Sequence, residues 1–192
     1  MAQKVKKPAR VGPMTPIEDV ADLPRILIIG DSISIGYTLP TRALLKGKAN
    51  LHRIPTNGGP TTKGLAEIDK WLGDKKWDLI HFNFGFEDFF YTDPRTKARR
   101  AMSKHAGGVR VTTPARYEAN LRELVRLFKA TGAKLIWAST TPIESSKFDS
   151  ILDPASELEF NAIAKKVMVE SGVTINDMHA YVTTNIKNKR DP

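Results

Sequence analysis

Asp31 and Ser32 follow directly on four consecutive branched aliphatics in the stretch RILIIGDSISIGY, Arg25 to Tyr37. A serine acts as a nucleophile when a rigid turn presents it, a nearby base takes its proton, and N–H donors receive the oxyanion. The same pair reads equally as a helix cap, its side chains accepting from the first free amides of a following helix. The sharper elbow motif G-x-S-x-G is absent, because Ser34 stands where its second glycine would be. Three further polar clusters could serve Ser32: Gly58 and Gly59 before Pro60, Thr61 and Thr62; FGFED, Phe84 to Asp88; and NDMH, Asn176 to His179. A glycine lets backbone come close to a ligand and aim an N–H at it, although a tight turn needs glycine as much.

These clusters all fall just after apolar runs. Ile26 to Ile29, Trp77 to Asn83, Lys134 to Ser139 and Val173 to Ile175 read as strands buried on both faces, with a weaker one at Asn50 to Ile54. Between them lie helical periodicities. Leu65, Ile68 and Leu72 recur after Thr61 and Thr62, which are expected as N-caps, and stop at Gly73. Thr113 and Pro114 open a stripe running to Phe128 and Gly132, and Asp153 with Pro154 is expected to open another ending at Gly172. The segment after the first strand is irregular, because Pro40 interrupts it.

Alternating strands and helices predict an α/β fold, a three-layer αβα sandwich with a doubly wound five-stranded parallel sheet. Ligands of such sheets sit at the carboxyl ends of the strands, where the loops starting at Gly30, Pro55, Asn83, Ser139 and Asn176 converge. The roughly 25-residue stretch after Asp88 reads as an irregular functional loop or a surface excursion. Residues 1–24 carry four prolines and no periodicity, and are expected to form an extended lead-in to a single domain, 25–192.

Composition narrows the function classes. The 192-residue chain has a net charge of +9, with 41% hydrophobic and 27% charged residues. Its basic surplus sits near the two ends (Lys4, Lys6, Lys7 and Arg10; Lys187, Lys189 and Arg190) and in a mid-chain segment (Arg95, Lys97, Arg99, Arg100 and Lys104). No nucleic-acid motif accompanies these residues, so no nucleic-acid partner is expected. No apolar run is long enough to span a membrane and no signal peptide is visible, which leaves localisation open between a cytoplasmic protein and a trimmed secreted or periplasmic one. Absence of cysteine excludes disulfides, thiol catalysis and thiolate metal sites. The four histidines lack ligand-like spacing, so no metal is expected. His81, inside an apolar run, reads as a core residue; His52 lies in the weak strand; His105 has no acid beside it.

GDS after the first strand, glycine with Thr-Thr after the second, and G-x-x-D after the third, in that order, resemble the SGNH hydrolases, or GDSL esterase and lipase family. The resemblance covers residues 25 to 180 and is nearest to bacterial carbohydrate-esterase-like members reading "IGDSISIGYT" and "INDLYAF". It implies a serine ester hydrolase of flavodoxin-like fold without cofactors, removing small acyl groups from a carbohydrate or related small molecule. It also implies roles: Ser32 as nucleophile and oxyanion donor, and Gly59 as the second donor. Gly85, Phe86, Glu87 and Asp88 fall on the family's G-x-N-D, so Glu87 occupies the donor asparagine's position, where an ionised carboxylate only accepts. The family's D-x-x-H falls on Asn176 to His179. His179 is therefore the candidate base and Asp177, two residues before it, the candidate orienting acid. Asp31 and Asp88 complete the set.

In the near subgroup the base lies further on, in a segment like "VHFTPEG", which does not occur before Pro192; the expectation is that the domain lacks its last segment. Two alternatives stand beside hydrolysis: a catalytically impaired relative that binds glycans, and a flavodoxin-like nucleotide or phosphate binder, which lacks G-x-G-x-x-G and a phosphate loop. Arg95 to Arg110 is the candidate contact for an acidic glycan.

Overall fold

The structure, a computed structural model, describes residues 12–96, 100–144 and 148–185. Five strands, β1 (Arg25–Ile29), β2 (Asn50–Arg53), β3 (Leu79–Phe82), β6 (Lys134–Ala138) and β7 (Thr174–Asn176), form one sheet in the order β2-β1-β3-β6-β7, every neighbouring pair parallel. Strand periodicity divides their side chains between two faces. Leu27 and Ile29, Ile80 and Phe82, and Leu135 and Trp137 enter the hydrophobic core with side chains of α2 (Thr61–Leu72), α4 (Pro114–Ala130) and α5 (Ser156–Glu170). Ile28, His81 and Ile136 form one cross-sheet row on the opposite face. That face carries α1 (Ser32–Leu44). The chain continues after β7 into α6 (Met178–Asn185).

The expected sheet and its alternation with helices hold, while several local expectations do not. The segment after β1 is a continuous helix with Pro40 inside it. Proline removes a donor to the carbonyl four residues back; that residue, Gly36, is exposed, so water can serve its oxygen. Neither Thr61 nor Thr62 caps α2. Asp88, from the short helical turn 86–89 after β3, accepts from the Thr61 amide at 3.0 Å and its hydroxyl at 2.6 Å. Thr113 does cap α4, accepting from the Arg116 amide. Asp153 does not open α5, which begins at Ser156 behind Ala155 in the left-handed region, φ 57°. Its carboxylate is instead engaged by Lys104, Arg110 and Tyr91.

The stretch after Asp88 has structure of its own: α3 (Phe86–Phe89), which contains Asp88, leads into a small antiparallel pair, β4 (Tyr91–Thr92) with β5 (Val109–Arg110), and a 3-10 turn covers Lys104–Ala106. The end of the lead-in is pinned to β2. Asn50 accepts from the Val20 amide and donates to the Val20 and Leu23 carbonyls, while Asp19 meets Arg25 and His52.

Candidate active site

β1 lies between β2 and β3, and its carboxyl end delivers the Gly30–Ser34 turn to the rim of the sheet. Of the two readings of the Asp31–Ser32 pair, the helix cap is realised at Asp31. Asp31 is the N-cap of α1, its Oδ1 accepting from the Ile33 amide at 2.9 Å. Ser32, the first helical residue, is exposed, and no side-chain hydrogen bond engages its Oγ among the described residues. Burial, the largest influence, raises the Asp31 pKa; the Ile33 amide and the Arg53 guanidinium oppose it.

The glycine loop is held against this turn. The Gly58 amide donates to the Gly30 carbonyl at 2.9 Å, and a Cβ on Gly58 would stand 2.9 Å from that same oxygen. Only glycine allows this approach. Gly59 is in the left-handed region at φ 66°, and its N–H donates to Asn57 Oδ1 at 2.8 Å. The other end of the Asn57 amide faces Glu87, with Nδ2 3.4 Å from Oε1. Asn57 therefore bridges the two positions to which the resemblance assigns oxyanion binding. A ligand oxygen using the Gly59 N–H has to displace Asn57 Oδ1.

Asp88, fully buried, directs its carboxylate at the α2 N-terminus, and Asn120 extends the cluster by donating to Thr61 Oγ1. His179 and Asp177 sit at the start of α6. Asp177 Oδ1 accepts from Ser139 Oγ and from the Ala180 amide, both at 3.0 Å, and Ser139 Oγ accepts from the His179 amide at 2.9 Å. The Ala180 amide, followed by the Ser139 hydroxyl among the stabilising contacts, lowers the Asp177 pKa. This is a helix cap, and no hydrogen bond joins the Asp177 carboxylate to the His179 ring among the described residues.

Beside Ser32 a trench of about 830 Å³ runs along the sheet face. Asp31, Ser32, Asn83, Ser139 and Thr140 line its polar end; Ile26, Ile28, Leu79 and Ile136 form its floor, and Ile33, Tyr37 and Leu45 form a wall. His81 belongs to that floor and not to the core. Its Nδ1 is 3.5 Å from the Tyr37 hydroxyl and its Nε2 is 3.4 Å from Asn176 Nδ2. Burial lowers its pKa, which keeps the ring neutral at pH 7. His179 is not part of the lining. His52 is engaged by Asp19 at 2.6 Å, and His105 is exposed in the 3-10 turn.

The described cations of the mid-chain segment are largely paired: Arg95 with Asp93, Lys104 and Arg110 with Asp153. Lys97 and Arg99 lie outside the described residues. Among the described residues no group of three His, Cys, Asp or Glu side chains could hold a metal ion, and no helix is long and apolar enough to cross a membrane.

The fold is that of the GDSL-type, or SGNH, hydrolases. A lipase/acylhydrolase from Enterococcus faecalis superposes with a TM-score of 0.66 at 16% identity, covering 85% of this chain and 80% of that one. A GDSL-like lipase from Bacteroides thetaiotaomicron matches at 0.63 and 16% identity, over 92% of this chain and 78% of that one. An acetyl xylan esterase from Geobacillus stearothermophilus matches at 0.59 and 18% identity, over 85% and 81%. No protein-family model matches the sequence, and no curated protein does.

Asn57 and Arg53 are the site residues that the sequence reading missed. Asn57 stands directly before the glycine pair, a position from which a short amide can cap the turn. A charged residue in a strand otherwise due for burial was the available signal for Arg53, which is 7% exposed.

Proposed function

We propose that this chain is a serine-dependent ester hydrolase of the SGNH type, removing small acyl groups from a carbohydrate or similar alcohol. The observation that carries this reading is the exposed Ser32 at the N-terminus of α1, with the glycine loop fastened to its turn by the Gly58–Gly30 bond. In this scheme Ser32 Oγ attacks the ester carbonyl, forming a tetrahedral intermediate. Its oxyanion takes the Ser32 amide and, once Asn57 turns away, the Gly59 amide. A base removes the serine proton and returns it to the leaving alkoxide; the alcohol departs and water then hydrolyses the acyl-enzyme. His179 is the base that the motif offers. The helix dipole of α1 favours developing negative charge at its amino end.

A second reading, a relative that binds an ester or glycan without turning it over, is favoured by Glu87 at the donor position and by the capping role of Asp177. Turnover of p-nitrophenyl acetate separates the two. Hydrolysis by the parent protein that disappears in Ser32→Ala is expected, together with stoichiometric labelling of Ser32 by an organophosphate. Equal turnover in parent and variant eliminates the hydrolase reading, as does failure to label; glycan binding without turnover supports the second.

A further inference from the structure

We infer that Arg53 is the positioning residue that sets Ser32 against the glycine loop, an inference that rests on the hydrolase reading above. Arg53 ends the edge strand β2 and spreads its guanidinium beneath the nucleophile turn. Nη2 donates to the Gly30 carbonyl at 2.9 Å, the Asp31 carbonyl at 3.2 Å and Ser34 Oγ at 2.9 Å. Nη1 donates to the Ile54 carbonyl at 2.8 Å and the Thr56 carbonyl at 2.7 Å. Three of the five acceptors thus belong to the turn carrying Ser32, and two to the segment that delivers Asn57, Gly58 and Gly59.

Burying a cation is unfavourable unless its hydrogen-bonding capacity is met. Here the Nη1 and Nη2 donors are met by four main-chain carbonyls and one hydroxyl, without a direct carboxylate contact among the described residues, while Nε is buried without a partner. A core that needed only to be filled would be served by an aliphatic side chain at the end of an edge strand. What the fork supplies, and an aliphatic does not, is a fixed distance between two loops. No ion pair within 4.0 Å neutralises the charge among the described residues, and it lies next to the amino end of α1, where it also draws on the Asp31 carboxylate. Lysine delivers its donors from one point and cannot reach both sets of carbonyls in the planar geometry of a guanidinium.

Misplacing a reacting group by about 1 Å costs on the order of 100-fold in rate. Arg53→Lys, Arg53→Met and Arg53→Ala are therefore expected to lower kcat for p-nitrophenyl acetate by about that factor, with KM unchanged. Millimolar guanidinium should restore part of the kcat of Arg53→Ala, whereas methylammonium should not, and neither should revive Ser32→Ala. Circular dichroism of Arg53→Lys serves as the folding control. Unchanged kcat in Arg53→Met overturns the inference while leaving the hydrolase reading intact. So does a loss of kcat that tracks the unfolded fraction and resists guanidinium. Absence of Ser32-dependent turnover in the parent protein overturns the hydrolase reading itself and this inference with it.

Discussion

The two faces of the sheet are built to different standards. On one, α2, α4 and α5 press aromatic side chains into close contact: Phe82 and Phe128 have ring centroids 4.9 Å apart, Tyr117 and Phe160 4.7 Å, and Phe89 and Phe160 5.2 Å. Helix α2 approaches so closely that a Cβ on Gly64 would lie 2.8 Å from the Phe84 ring. On the other, α1 shares the surface with the trench, and Ile26, Leu79 and Ile136 are only partly buried. Packing density decides how much each face contributes to stability, since side chains that touch neighbours on all sides lose the most when cut back. One face therefore holds the fold, and the other leaves space alongside Ser32.

The largest expected effect tests that division directly. Phe160→Ala, on the densely packed face, should cost about 3–5 kcal/mol in urea unfolding, and Ile136→Ala, on the trench floor, about 1–2 kcal/mol. Comparable losses at the two sites would abolish the distinction. Next comes the polar fastening of the packed face. Asp88→Ala strips the partner from the buried Thr61 amide and hydroxyl and should cost about 2–3 kcal/mol, with α2 losing protection from hydrogen exchange before α4. A cost below about 0.5 kcal/mol would mean that water replaces the carboxylate and that this face is less closed than described.

The smallest effect belongs to the trench floor. The His81 pKa is lowered in the folded state by burial, so below about pH 6.5, the ordinary histidine value, the unfolded chain takes up protons that the folded chain does not. Stability should accordingly fall as pH drops through that range, and His81→Leu should flatten part of the slope. His52, whose pKa burial also lowers, contributes in the same direction. Tyr37 and Asn176, the groups facing His81, carry no charge in this window; the Tyr37 pKa is pushed up to about 12, chiefly by burial. An unchanged slope in His81→Leu would show the ring to be as well hydrated folded as unfolded.

Much of this could be read from the letters because it depended on local pattern. Continuous apolar runs announce parallel strands, and Thr113 with Pro114 announces a helix start, so the sheet and α4 were legible. Caps supplied from a distance were not. The α2 N-terminus takes Asp88, 27 positions away in sequence, and Asp153 is drawn from its own helix by Lys104 and Arg110. No window of neighbouring residues contains either fact. His81 was misread for a related reason: an apolar run reveals burial within a sheet without saying which face is packed and which borders a trench. Ser32 was legible as a position, since the end of a central strand is a matter of topology. Its surroundings depended on Arg53 and Asn57, whose hydrogen bonds reach across loops.

The strand order has a consequence for how the molecule comes together. β1 is made first, yet it pairs with β2 on one side and β3 on the other, in registers joining Arg25 to Asn50 and Ile29 to Phe82. Partners this far apart in sequence slow folding, because the intervening chain must be brought into a loop before any bond is gained. A nascent chain therefore carries β1 with at least one open edge until residue 82 has been made. The turn bearing Ser32 acquires its final shape only once the Gly58 amide and the Arg53 fork have arrived. The geometry around the serine, near the start of the fold, thus waits on residues from β2 and the glycine loop that follows it.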